Sequence, residues 1–223
     1  MRPFDYSELF KSGDLVFDIG SHDGSGQAKS VYDLGTRLVC YEPVPQFAAC
    51  IPQHCPNAII EVKGVLDKPG VARITLSDSS PQSSSFSQAW IDKWPEGKWH
   101  HSIDCQITTL DLEIAKYGLP AYIAIDAEGM DDRVLIGLNQ PVHALCFEYH
   151  PLPEFRIVYK MAMMELERLM YRKFNYITAA PLDKWQWSFD DWTGPTGLLY
   201  ALDSEPKDKN KALWGRVFAL WGE

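Results

Sequence analysis

The sequence has no apolar run approaching the roughly 18 residues of a membrane-spanning helix, and its start, "MRPFDYSELFKSGD", has no apolar signal-peptide core. A cytoplasmic protein is the simplest expectation. Lys and Arg are scattered rather than clustered, and the net charge is −9. Long-range attraction to nucleic acid is thereby disfavoured, and a small-molecule or glycan partner fits better. The cysteines are few, odd in number and scattered: Cys40, Cys50, Cys55, Cys105 and Cys146. That excludes a disulfide framework and suggests a reducing compartment. Cys50, His54 and Cys55 lack the second Cys/His pair that a zinc site needs, so no metal site is expected. Also missing are G-x-G-x-x-G and G-K-[ST], the signatures of dinucleotide and P-loop phosphate binding.

What is present is ordinary globular material, 46% hydrophobic and 23% charged over 223 residues. With neither repeat nor linker, residues 1–223 are expected to form one domain. Apolar runs of buried-strand character occur at "DLVFDIG" (14–20), "RLVCYEPV" (37–44), "AIIEVKGVL" (58–66), "AYIAIDAEG" (121–129) and "HALCFEYH" (143–150). A short crossover helix fits "SGQAKSVYDLG" between the first two, which is βαβ grammar. "VARITLSD" (71–78) reads as an extra strand, and 154–173 as a long amphipathic helix. "FNYITAA" (174–180) and "GLLYALD" (197–203) read as closing strands, and the tail "ALWGRVFALW" as a short helix packing on the domain or on a second copy. The expected fold is α/β and Rossmann-like: a mostly parallel seven-stranded sheet with an antiparallel late strand and helices on both faces. The polar segment 79–104 and the aromatic connection 181–196 are candidate lid and acceptor elements.

Ligands of open α/β sheets lie beyond the carboxyl ends of the strands, where strand order reverses. Those ends carry Asp18, Gly20, Ser21, His22, Asp23 and Gly24 after the first run, and Glu42 and Pro43 after the second. Asp126 and Glu128 follow the fourth, and Glu148 and His150 the fifth. A pyrophosphate would meet acids there. A ligand with an amine, a ribose and a positive centre suits such a wall, and S-adenosyl-L-methionine has all three. Glycines admit its methionyl part closely. Glu42 stands about 20 residues past the loop, the offset at which an acid holds ribose hydroxyls.

With these residues placed, the chain resembles the FkbM family of S-adenosylmethionine-dependent methyltransferases over roughly residues 14 to 150. "FDIGSHDG" resembles the family's D-[VI]-G-A-N-x-G, "YEPVPQF" its E-P-x-P-x-x-F, "SSSF" (83–86) its Ser-Ser-apolar stretch, and "CQITTLD" its T-L-D. "IDAEGMDDRVLIGL" follows I-D-x-E-G-x-E-x-x-V-L-x-G nearly residue for residue. The resemblance implies a class I methyltransferase whose cofactor is held by Asp18, Gly20, Ser21, His22, Asp23, Gly24, Glu42, Pro43, Ser85 and Asp126. It also implies Asp126 and Glu128 near the transferring methyl, and O-methylation of a saccharide or glycosylated metabolite. Candidate proton acceptors are Asp126, Glu148, His150 and His22. Three departures stand out: His22 for the usual Asn, Ala124 where a Lys is common, and Asp131 for Glu. The rival readings are a non-catalytic relative of the same fold and an NAD-type oxidoreductase.

Overall fold

The computed structural model describes residues 2–178, 185–204 and 214–222. The chain enters the sheet through β1 (Leu15–Ile19), turns into α1 (Gln27–Tyr32), and returns as β2 (Arg37–Tyr41), which is parallel to β1. The short α2 (Pro45–Ala48) leads to β3 (Ile59–Glu61), the outer parallel neighbour of β2. At this point the apolar run expected as one strand divides. Its second half, β4 (Gly64–Val65), leaves the main sheet and joins a separate three-stranded one with β5 (Gly70–Leu76) and β6 (His101–Thr108). Between β5 and β6 the expected loop contains α3 (Gln88–Lys93), capped by the Ser87 side chain on Trp90 N–H, and its last residues already belong to β6.

The main sheet resumes after α4 (Leu110–Tyr117), whose Thr109 cap accepts from Leu112 N–H. Then follow β7 (Tyr122–Ile125), α5 (Asp131–Ile136), β8 (Ala144–Tyr149), α6 (Arg156–Arg168), β9 (Lys173–Thr178), α7 (Pro195–Ser204) and β10 (Gly215–Leu220). The seven strands lie in the order β3-β2-β1-β7-β8-β10-β9. Only β10 runs against its neighbours, pairing antiparallel with both β8 and β9. This is the mostly parallel sheet with one antiparallel late strand that the sequence predicts.

Two late elements differ from expectation. The stretch 197–203 is helical because Leu198 and Leu202, one turn apart, are its buried residues. The tail is a strand: Val217 and Ala219 pack on one face of the sheet while Phe218 packs on the other. Short apolar runs do not separate these alternatives by themselves; the available partner surface does. Helices α4, α5 and α6 cover one face through Leu110, Leu135, Met163 and Leu166. On the other face, α1 and the N-terminal segment bring Ala28, Val31 and Leu9. Both faces of β1, β7 and β8 are therefore dry, which is why those strands read as continuous apolar runs.

No helix among the described residues is long and apolar enough to cross a membrane. None of the five cysteines is in a disulfide.

Candidate active site

Strand order reverses at β1, whose neighbours β2 and β7 lead in opposite directions along the sheet. A cavity of about 470 Å³ opens beyond their carboxyl ends. Its floor is the turn after β1. Gly20 has φ +83, and a Cβ there would lie 1.9 Å from the Asp126 carbonyl oxygen. The two strand ends therefore touch through a residue that only glycine can be. Asp18 is buried at the end of β1, and its backbone carbonyl accepts from the Ser21 hydroxyl at 2.9 Å. Burial pushes the Asp18 carboxyl upward, against the pull of Ser21 and the Arg216 charge.

Glu42 closes the cavity from the end of β2. One carboxylate oxygen accepts from His22 N–H and the other from Val44 N–H, both at 2.8 Å. The side chain is thus fixed in orientation while each oxygen keeps a free lone pair. Burial outweighs those two bonds and pushes the Glu42 carboxyl up to about 7. His22 sits in the left-handed region at φ 49 and its ring packs 4.5 Å from Phe47. Its Nε2 is buried without a partner. Ser21, Asp23 and Pro43 also line the cavity; Gly24 does not, and instead packs against Ile51 within the turn. Ser85 differs from expectation as well. It is 1% exposed, and its hydroxyl donates to the Glu128 carbonyl at 2.7 Å, bracing the left-handed Glu128 (φ 48) instead of facing the cavity.

A second cavity of about 460 Å³ adjoins the first, and the two share Gln82, Asp126, Glu128 and Arg216. Glu148 and His150 lie on its wall, with His150 Nε2 3.1 Å from Glu148 Oε2. Trp90, Trp94, Trp99 and Trp214 line it together with Ser77, Ser79, Ser80 and Ser83. Trp90 also meets the His150 ring edge-on at 4.9 Å, which fixes that imidazole. Asp126, Glu128 and Glu148 place ligand atoms within 4.8 Å of one another, spacing that could hold a metal ion. In this structure Asp126 is instead ion-paired with Arg216.

Crowding separates these acids. Burial, then the Glu148 charge, push Asp126 up to about 6 despite Arg216. Glu128 is driven well above the carboxylate range by burial and by Glu148 and Asp126. The same causes raise Asp131, whose carboxylate accepts from Glu148 N–H at 3.2 Å. Burial also works against Glu148, but the His150 ring and Arg216 outweigh it and hold its carboxyl below the usual range. Glu148 is therefore the carboxylate of the group that stays ionised most readily.

Two features escape a reading of the sequence. Arg216 lies in the tail, with no motif around it and no fixed spacing to the loop. The second is the choice of tryptophans. Of the connection 181–196, residues 181–184 lie outside the described residues; Trp185 and Trp187 are buried against Phe4, and Trp187 against Phe218, away from both cavities. The tryptophans that do reach the site come from segment 79–104 and from Trp214.

No family model matches the chain, and no curated protein matches it. Solved structures do. A proposed RNA methyltransferase of Pyrococcus horikoshii aligns with TM-score 0.50 at 8% identity, over 96% of this chain and 78% of that one. Precorrin-6y C5,15-methyltransferase of Geobacter metallireducens gives TM-score 0.45 at 12% identity, over 98% and 85%. Aeropyrum pernix fibrillarin, crystallised with natively bound S-adenosyl-L-methionine, gives 0.45 at 10%, over 94% and 67%. The fold is the Rossmann-like class I methyltransferase fold.

Proposed function

We propose that this protein is an S-adenosyl-L-methionine-dependent methyltransferase of the FkbM type that O-methylates a hydroxyl of a saccharide or glycosylated metabolite. One observation carries the cofactor reading: Gly20 packed on the Asp126 carbonyl and Glu42 anchored on His22 N–H form a cradle at the strand-order reversal. The residues present fit the cofactor. A Cβ at Gly20 would close the cradle, Glu42 has lone pairs free for ribose hydroxyls, and Asp18, Asp126 and Glu128 make the wall acidic rather than phosphate-binding. Glycine spacing argues against NAD. The FkbM reading is supported by where the motif residues lie: Asp18, Glu42, Asp126 and Glu128 converge on one cavity from three separate segments.

When bound, S-adenosyl-L-methionine supplies a methyl group on positively charged sulfur, an electrophile for a hydroxyl oxygen. The chain's own residues then have two tasks. The second cavity positions the acceptor: flat indole faces, serine hydroxyls and carboxylates are chemistry suited to a pyranose ring. The Glu148–His150 pair takes the hydroxyl proton. With Nε2 protonated and donating to Glu148, the basic nitrogen is Nδ1, oriented by the carboxylate behind it. The net charge of −9 favours a small or glycan acceptor over nucleic acid.

Calorimetry with S-adenosylmethionine, S-adenosylhomocysteine and NAD tests the cofactor, and mass spectrometry over a panel of sugars, nucleotide sugars and glycosylated products tests the acceptor. Binding of both adenosyl compounds with methylated product supports the proposal. Binding without any product leaves a non-catalytic relative of the fold, and binding of NAD alone an oxidoreductase.

A further inference from the structure

Arg216 is the one cation at the wall shared by the two cavities among the described residues, and it is poorly satisfied. Its side chain is 8% exposed, and one terminal nitrogen pairs with Asp126 Oδ2. The other two nitrogens, Nε and Nη1, are buried without any partner. A guanidinium cannot shed its charge to relieve this, and a buried unpaired donor is costly. A second orphan lies on the same face of the sheet. Gln27, at the start of α1, donates its amide to Tyr122 Oη at 3.1 Å and to Cys146 Sγ at 3.5 Å. Gln27 Oε1 is buried with no partner while the residue lines the first cavity. The Arg216 charge also reaches Tyr122, Asp18 and Tyr6, and Tyr6 Oη is a further buried atom without a partner.

Unfilled donors on a cation and an unfilled acceptor, lining the same cavity, suit a zwitterion. A lone anion would face Asp18 and Asp126 there, and a lone cation would face Arg216. A group carrying both charges suits both. Resting on the cofactor reading above, we propose that Arg216 and Gln27 are the receptor for the α-amino-carboxylate end of the cofactor. Arg216 donates to the carboxylate and Gln27 Oε1 accepts from the ammonium. The site would thus be closed by a residue of the last strand, which the glycine loop alone does not supply.

Two probes isolate that end: S-adenosylhomocysteine, and 5′-methylthioadenosine, which keeps adenosine and sulfur but lacks the amino acid. Binding of each is measured by calorimetry on the full chain. Arg216→Met should weaken S-adenosylhomocysteine about 10- to 100-fold, the range for lost hydrogen bonds to a charged group, and leave 5′-methylthioadenosine unchanged. Arg216→Lys should recover part of the loss. Gln27→Leu leaves the Asp126 ion pair intact, and so carries the test if Arg216→Met does not fold; it should weaken S-adenosylhomocysteine alone, by about tenfold. Equal losses for both probes, or none for either, would overturn the proposal. If the wild type bound neither probe, the cofactor reading would fall and this inference with it. Glu42→Ala separates the two cases, since it should weaken both probes.

Discussion

Two groups of tryptophans share one residue type and have opposite surroundings. Trp185 and Trp187 meet Phe4 of the N-terminal segment, and Trp187, fully buried, also tilts against Trp192 and meets Phe218 of β10 edge-on. Trp90, Trp94, Trp99 and Trp214 line a cavity beside acids, serines and Arg216. In the first group Trp185 and Trp187 are used up by packing, with the half-buried Trp192 set against Trp187. In the second, part of the aromatic surface faces a space, and Trp94 Nε1 is buried with no partner. An aromatic cluster in a sequence therefore says little about binding until it is known what covers its faces.

The comparison breaks most directly at its packed end. Trp187→Ala should cost about 3–5 kcal/mol of stability in urea unfolding, from lost burial plus cavity, with S-adenosylhomocysteine affinity per folded molecule unchanged. A comparable loss of affinity would show that this cluster belongs to the site after all.

At the site end, polar burial rather than packing should dominate, and pH exposes it. Glu42 is raised from its ordinary 4.5 to about 7, so the folded state holds a proton that the unfolded chain has released between those values. Stability should then fall as pH rises through that window, be fully reduced above it, and show no such loss below it. Asp126, raised to about 6, acts in the same direction. Glu42→Gln should flatten the slope, removing about 3 kcal/mol of pH dependence across the window, since one proton held by the folded state alone is worth about 1.4 kcal/mol for each pH step of one. The slope is the readout, because an amide oxygen can serve only one of the two backbone N–H groups that Glu42 holds. An unaltered pH profile of urea unfolding would remove Glu42 as its source.

Smaller effects sharpen the contrast. Glu42→Ala should weaken S-adenosylhomocysteine by about 1–3 kcal/mol in calorimetry; unchanged affinity would exclude the ribose role. Trp99→Ala, at the partly exposed indole of the cavity, should cost only about 1 kcal/mol of stability. Under the proposed function, its effect should appear as a lower kcat/KM for the acceptor with S-adenosylhomocysteine affinity intact. If Trp99→Ala instead destabilised as strongly as Trp187→Ala, the two groups would not differ in kind.

Much of this was legible in the chain. The three central strands announce themselves because both faces of β1, β7 and β8 are buried, so their residues need not alternate. The acids at the strand ends were legible too: Asp18, Glu42, Asp126 and Glu148 each close an apolar run and line the two cavities beyond the strand ends. What the sequence by itself determined is thus the parallel core and the acidic carboxyl edge, since both follow from local pattern and the Rossmann order of alternating elements. The tertiary structure alone decided the rest. Whether 197–203 and 215–220 became helix or strand depended on which surface was left to cover. Whether Ser85 met the cavity or the Glu128 carbonyl depended on the path of a distant loop. Arg216 reached Asp126 only because β10 inserts antiparallel beside β8, bringing together two residues separated by 90 positions, a distance over which no sequence periodicity operates.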